Sequence, residues 1–337
     1  MYLFVTADRI GVETGGGLVT RYELEALQEL GPTRTINPNP KADPFETEKE
    51  ILRDEWGSYK LAHFYSGTFP NLTKALKSAG VKITYTAAAH SIEESKKEFT
   101  AAGFDYNFPH LTNPVLWEKY LSSYKNADVV ICPSKHSKEC MEDFGCNNVQ
   151  VVPHGCDKLR PKPIPRMFSV GYLGQTGPDK GLVYLLQAWA NLNYSDAILN
   201  IAGRTSVSLI NAVRYFGKGN VNLMGYVKSI ENFYNSCSVY VQPSVTEGFG
   251  IEVLEAMNCG RPTIVSDGAG ACDVVDSCCG KVFEKRNVEE LMKQIDWYKN
   301  NPGKLKTHGD NAVKIAKKYY WSNVKEQYKK IWKELLS

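Results

Sequence analysis

Two carboxylates set eight positions apart, Glu247 and Glu255, bracket a glycine-bearing turn, Gly248-Phe249-Gly250. Upstream, Val239-Tyr240-Val241-Gln242 reads as a strand that Pro243 and Ser244 stop. Downstream, Ile251, Leu254 and Met257 recur at helical spacing until Cys259-Gly260. The backbone N–H groups of Phe249, Gly250 and Ile251 would then be unpaired at a helix start, where the helix dipole favours an anion. Helical side chains lean toward the N-terminus, so Glu255 would reach whatever is attached to that anion. Glu252 in the first turn has the simpler reading of complementing the dipole.

Other residues suit the same chemistry. Lys180 precedes a helix expected from Leu182 to Leu192 and can neutralise a phosphate. His90 stands at the C-terminal end of the strand Lys82-Ile83-Thr84-Tyr85-Thr86, where open α/β sheets present ligand groups. Gly15-Gly16-Gly17 between the first strand and a helix from about Leu18 to Leu30 reads as a loop that brings backbone close to a phosphate or sugar. The segment lacks both the Gly-Lys-Ser/Thr of a P-loop and the G-x-G-x-x-G of a dinucleotide fold. No D-x-D and no cluster with metal-ligand spacing is present, so no metal is expected.

The string Pro-Ser-x-x-Glu-Gly-Phe-Gly-Ile-x-x-Leu-Glu-Ala-Met resembles the E-x7-E signature of glycosyltransferase family 4, the retaining GT-B enzymes. Ala127–Ser134, Val149–Asp157, Val221–Val227 and Gly268–Asp273 are similar to further segments of that family. The resemblance implies an α/β GT-B fold: two Rossmann-like, doubly wound domains facing across a cleft, with a C-terminal helix crossing back to the first. It divides the chain into an acceptor-side domain (1–160), a nucleotide-sugar domain (166–312) and the returning helix (313–337), with Pro161–Pro165 as a stiff connector. It implies that Glu247 positions the donor sugar, Glu255 grips the ribose and His90 contacts the sugar near its primary hydroxyl. Lys180 and the amides of Phe249, Gly250 and Ile251 would meet the diphosphate, helped by Arg204. Tyr226 and Val227 would line the base pocket, and Gly15–Gly17 would lie over the donor. Two positions depart from the family: Gln175 stands where an arginine is usual, and Ser91 replaces the Asp that usually follows the histidine.

The resemblance thus implies a retaining hexosyltransferase using a UDP- or GDP-linked donor, with a glycan, lipid-linked or small-molecule hydroxyl as acceptor. The departures keep open a non-catalytic nucleotide-sugar-binding protein of the same fold. The net charge of +3 over 337 residues is too small to indicate nucleic acid. Residues 1–158 hold 17 basic and 21 acidic side chains, whereas residues 159–337 hold 23 and 16, so the basic half carries the anion site. Nine scattered cysteines without a C-x-x-C pair suit reduced thiols and a cytoplasmic location. The lysine-rich tail has Val324, Tyr328, Ile331, Trp332 and Leu335 on one helical face. Such a helix suits either packing against the first domain, the stronger reading, or peripheral contact with anionic lipid.

Overall fold

The computed structural model describes residues 1–6, 10, 15–37, 48, 56–65, 69–106, 113–204, 207–216 and 220–337. Two parallel six-stranded sheets form the framework. The first contains β1 (Tyr2–Thr6), β2 (Thr33–Ile36), β3 (Leu61–Tyr65), β4 (Lys82–Thr86), β5 (Val129–Cys132) and β6 (Val149–Val151), in the order β2-β1-β3-β4-β5-β6. The second contains β7 (Phe168–Leu173), β8 (Ala197–Ala202), β9 (Val221–Gly225), β10 (Val239–Gln242), β11 (Thr263–Ser266) and β12 (Gly280–Phe283), in the order β12-β11-β10-β7-β8-β9. Central strands such as Leu61–Tyr65 and Val239–Gln242 are buried throughout, the pattern of parallel strands covered by helices on both faces. In the second sheet the strand order reverses between β7 and β10, whose registered pairs are Val170 with Val239 and Gly171 with Tyr240. A ligand crevice belongs at the carboxyl ends of such strands, so the segments leaving Leu173 and Gln242 are the ones to examine.

The helices are α1 (Gly15–Gln28), α2 (Pro70–Ser78), α3 (Ile92–Ala101), α4 (Pro114–Lys125), α5 (Lys135–Asp143), α6 (Leu182–Leu192), α7 (Val207–Phe216), α8 (Ile230–Asn235), α9 (Ile251–Asn258), α10 (Val288–Asn300), α11 (Pro302–Ala316) and α12 (Trp321–Leu336). The chain folds as two compact units: residues 1–89, 107–155 and 321–337 make one, and 90–106 with 156–320 make the other. The division falls at Cys156, a few residues before the proline connector, and α3 belongs to the second unit although it follows a strand of the first.

Gly15, Gly16 and Gly17 do not form a loop: they are the first turn of α1. A first turn makes few intrahelical N–H bonds, so glycine costs least there. The amphipathic stretch behind it, with Val19, Ala26 and Leu27 fully buried, supplies the stability. Gly11 to Thr14 lie outside the described residues.

Within the first unit α12 packs on α1. Trp321 stacks on Tyr22 with ring centroids 4.5 Å apart, and Trp332 Nε1 donates to Thr84 Oγ1 at 3.2 Å. Val324, Tyr328, Ile331 and Trp332 are buried, while Lys325 and Lys329 hold Glu29 at 2.5 and 2.6 Å. The apolar face of the basic tail is therefore spent in a protein core. Among the described residues no helix is long and apolar enough to cross a membrane.

Candidate active site

The segment that leaves β10 is buried and bonded on both sides. Tyr240 donates to Gln242 Oε1 at 2.6 Å, and Gln242 Nε2 donates to Ser244 Oγ at 2.8 Å. Ser244, Val245 and Thr246 are fully buried. Val245 N–H donates to the Asp179 carbonyl at 2.8 Å, which ties this segment to the one leaving β7. Glu247 N–H donates to Gly268 O, and Gly270 N–H donates back to Glu247 O, each at 3.0 Å. The Glu247 backbone is thereby fixed between two strand ends. Gly250 caps α9 at φ +95°, a left-handed conformation that a β-carbon disfavours.

The charged groups converge on that helix start. Lys180 Nζ donates to Glu247 Oε2 in a close ion pair and lies 4.0 Å from Asp179 Oδ2. Burial works against the charge of Lys180, but Glu247 and Asp179 outweigh it and hold its pKa above the ordinary lysine value. Asp179 itself is raised by burial, with Lys180 and His90 acting in the opposite sense. Lys180 reaches this position because Gly181, at φ +67°, turns the chain directly against the Pro243 carbonyl, where a β-carbon has no room.

Glu255 is 8% exposed and accepts a 2.7 Å hydrogen bond from Tyr234 Oη. Burial pushes its carboxyl up to about 7. Glu252 is also pushed up to about 7, by burial first and then by the charges of Glu247 and Glu255. Glu247 and Glu255 thus both act on Glu252 at a single helix tip.

His90 belongs to the second unit, half-buried, and its charge is felt at Asp179. The residue after it, Ser91, donates its N–H to Thr246 Oγ1 at 2.9 Å. Gln175 is exposed on the segment leaving β7, its carbonyl taken by the Tyr172 hydroxyl. Arg204 is exposed just past β8, following Gly203, whose backbone lies against Gly174. Tyr226, 68% exposed, and Val227 follow β9 at the same end of the sheet. The structure thus gathers Lys180, Glu247, Phe249, Gly250, Ile251 and Glu255, with His90 near Asp179. Arg204, Tyr226 and Val227 lie further along the strand ends, and Gly15, Gly16 and Gly17 belong to the first unit.

Sequence reasoning missed Asp179, Thr246 and Tyr234. Tyr234 has the spacing of an ordinary core aromatic, and nothing local marks its hydroxyl as a carboxylate partner. Glu252 was legible only as a dipole residue, because its neighbours are set by the fold. Among the described residues no group of three or more His, Cys, Asp or Glu side chains is placed to hold a metal ion.

Comparison with known proteins places both halves of the chain in one context. Residues 162–315 match the family described as Glycosyl transferases group 1, and residues 40–159 match Glycosyltransferase Family 4. An uncharacterized glycosyltransferase of Methanocaldococcus jannaschii, MJ1178, is 27% identical over 219 residues, or 62% of this chain and 60% of the relative. The capsular polysaccharide biosynthesis glycosyltransferase CapM of Staphylococcus aureus is 29% identical over 177 residues, 50% of this chain and 45% of CapM. The chain therefore spans between about half and three-fifths of these curated relatives. Among solved structures, sucrose-phosphate synthase from Thermosynechococcus elongatus superposes with a TM-score of 0.78 at 18% identity, covering 99% of both chains. Anabaena Alr3699/HepE in complex with UDP-glucose gives 0.75 at 17% identity, covering 99% of this chain and 100% of that one. At such identities the likeness is one of fold, and the fold is GT-B.

Proposed function

We propose that this chain, which belongs to the group 1, family 4 glycosyltransferases, moves a hexosyl group from a nucleotide-diphosphate sugar to a hydroxyl acceptor with retention at the anomeric carbon and without a metal ion. The observation that carries the reading is the Lys180–Glu247 ion pair at the N-terminus of α9, at the strand-order reversal of the second sheet. A lysine ammonium and three helix-start amides, those of Phe249, Gly250 and Ile251, are what a diphosphate needs in order to leave without a divalent ion. An incoming diphosphate competes with Glu247 for Lys180 and frees the carboxylate to bond the sugar hydroxyls.

In this mechanism Glu255 accepts from the ribose hydroxyls, with Tyr234 holding it in place. His90 contacts the sugar, Arg204 supplements the charge on the diphosphate, and Tyr226 with Val227 flank the base. Gln175 offers a neutral donor in place of an arginine, so Lys180 carries most of the charge compensation. The C1–O bond to the β-phosphate breaks, the acceptor oxygen bonds to C1 on the same face, and the acceptor's proton passes to the leaving phosphate. The donor is UDP- or GDP-linked, and the acceptor hydroxyl belongs to a glycan, a lipid-linked glycan or a small molecule. HepE, of the same fold, has been captured with UDP and with UDP-glucose, which favours uridine as the first donor to try.

A thermal-shift series with UDP, GDP and ADP tests the donor. A nucleotide at a hundred times its dissociation constant adds about 2.7 kcal/mol, which is a clear shift in Tm. The absence of any shift with all three rejects the site. A second reading, a nucleotide-sugar-binding protein without transfer, is favoured by the exposed, uncharged Gln175. Binding of UDP-sugar with neither transfer nor donor hydrolysis selects it over the enzyme.

A further inference from the structure

The helix α3 carries no group assigned to the reaction, yet side chains of the second unit tether it at several points. At its N-terminal end, Ser91 caps it by accepting from Glu94 N–H at 3.2 Å and donates its own N–H to Thr246 Oγ1 at 2.9 Å. Along its first two turns, Arg286 Nη1 lies 2.7 Å from Glu94 Oε2 and Arg286 Nε 2.7 Å from Glu98 Oε1. Lys285 Nζ reaches Glu94 at 3.3 Å, and Tyr184 Oη donates to Glu98 at 2.9 Å. Glu94 is held down at about 2: the hydrogen bonds from Arg286 and Lys285 overcome the burial that would raise it. Arg286 adopts φ +68°, a left-handed conformation that a non-glycine residue rarely takes, and its guanidinium meets two carboxylates.

The residues at the N-terminal tether explain why it matters. His90 directly precedes Ser91, and Glu247 directly follows Thr246. One hydrogen bond therefore joins the backbones that carry the two residues proposed to hold the donor sugar, each one Cα–Cα step of about 3.8 Å from it. Thr246 is fully buried, so its hydroxyl acts as a fixed acceptor away from solvent. Arg286 ties Glu94 and Glu98 of the same helix to the second unit.

We propose that Thr246 is a positioning residue that sets the spacing of His90 to Glu247 through the Ser91 N–H, with Arg286 as the second anchor of the same helix. This rests on the transferase reading for its consequence in catalysis, and on the geometry of one hydrogen bond for the positioning itself. Thr246→Val keeps the shape and removes the acceptor, whereas Thr246→Ser keeps it.

The decisive experiment compares Thr246→Val, Thr246→Ser and wild type in the full chain. Four quantities are measured: amide exchange at Ser91, the NMR shifts of the His90 imidazole, the kinetics with UDP-glucose or whichever donor the thermal shift selects, and UDP affinity. In Thr246→Val, Ser91 exchange accelerates and the His90 resonances move. Its kcat falls about tenfold or more, as expected when a reacting geometry is loosened. UDP affinity by calorimetry stays within twofold, and Thr246→Ser restores all three signals. Unchanged Ser91 exchange and unmoved His90 resonances in Thr246→Val overturn the positioning, whatever the activity. If wild type neither transfers nor hydrolyses a nucleotide sugar, the transferase reading fails alone, and the two spectroscopic signals still decide the positioning. Should Thr246→Val not fold, Arg286→Met at the partly exposed far anchor replaces it. That variant shifts the same signals by a smaller amount, and no movement in either signal overturns the proposal.

Discussion

At the scale of single residues, the site gathers several carboxyl groups at the start of one helix. Glu247, Asp179 and Glu252 act on one ammonium, that of Lys180, and Glu255 lies one turn further along the helix. The carboxylates tolerate one another because burial keeps two of them, Glu252 and Glu255, protonated up to about pH 7. Glu255 has the ordinary carboxyl value of 4.5 when unfolded and about 7 when folded. Its contribution to stability is therefore complete below pH 4.5 and is lost as pH rises through 7. Glu255→Gln removes this dependence: urea unfolding of the ligand-free variant shows a gain over wild type on the order of 2–3 kcal/mol at pH 8 that vanishes near pH 4.5. Glu247 has a different weight, since the proposed mechanism offers it to the substrate. Glu247→Ala lowers the initial rate of transfer by about 100-fold or more. A rate within threefold of wild type removes Glu247 from the sugar site.

At the scale of elements, the strand–turn–helix from Val239 to Asn258 was legible because each of its signals is local. The β-branched run, the Pro-Ser stop, the glycines and the helical spacing all point one way, and the helix begins at Ile251 as expected. The helix Leu182–Leu192 was equally clear, its apolar positions being dense enough to leave no alternative period. The Gly15–Gly17 reading failed because glycine propensity was weighed without the packing of the helix behind it. What the sequence could not yield is who faces whom: Tyr234 against Glu255, Thr246 against Ser91, Arg286 against Glu98. Those pairs are 21, 155 and 188 residues apart. Gly181 shows how a turn serves the site at a distance. Gly181→Ala forces a β-carbon into the Pro243 carbonyl at a left-handed backbone position. It destabilises the protein by about 2–4 kcal/mol in urea unfolding and displaces Lys180, so UDP affinity falls as well. Unchanged stability in that variant would show that the two segments separate more easily than their packing indicates.

At the scale of the whole molecule, each unit is made of pieces that are far apart in sequence. Helix α12 completes the core of the first unit with Trp321, Val324, Tyr328, Ile331 and Trp332. It also shields the fully buried pair of His63 and Glu23, 3.0 Å apart, which α1 and β3 bring together. Even Trp332→Ala is expected to cost about 3–5 kcal/mol. Removing residues 321–337 therefore opens the first unit while leaving the second folded. Hydrogen exchange in the truncated chain shows Leu61–Tyr65 unprotected and Val239–Gln242 still protected; equal protection of both strands contradicts the division into units.

The same discontinuity sets a schedule for biosynthesis. The first 155 residues leave the ribosome without the helix that closes their core, and about 165 more must be translated before it follows. At about 5–20 residues per second, that interval is roughly 8–33 s. Throughout it, the surface destined for two tryptophans and a tyrosine stays open to chaperones, while the later half of the nascent chain takes shape beside it.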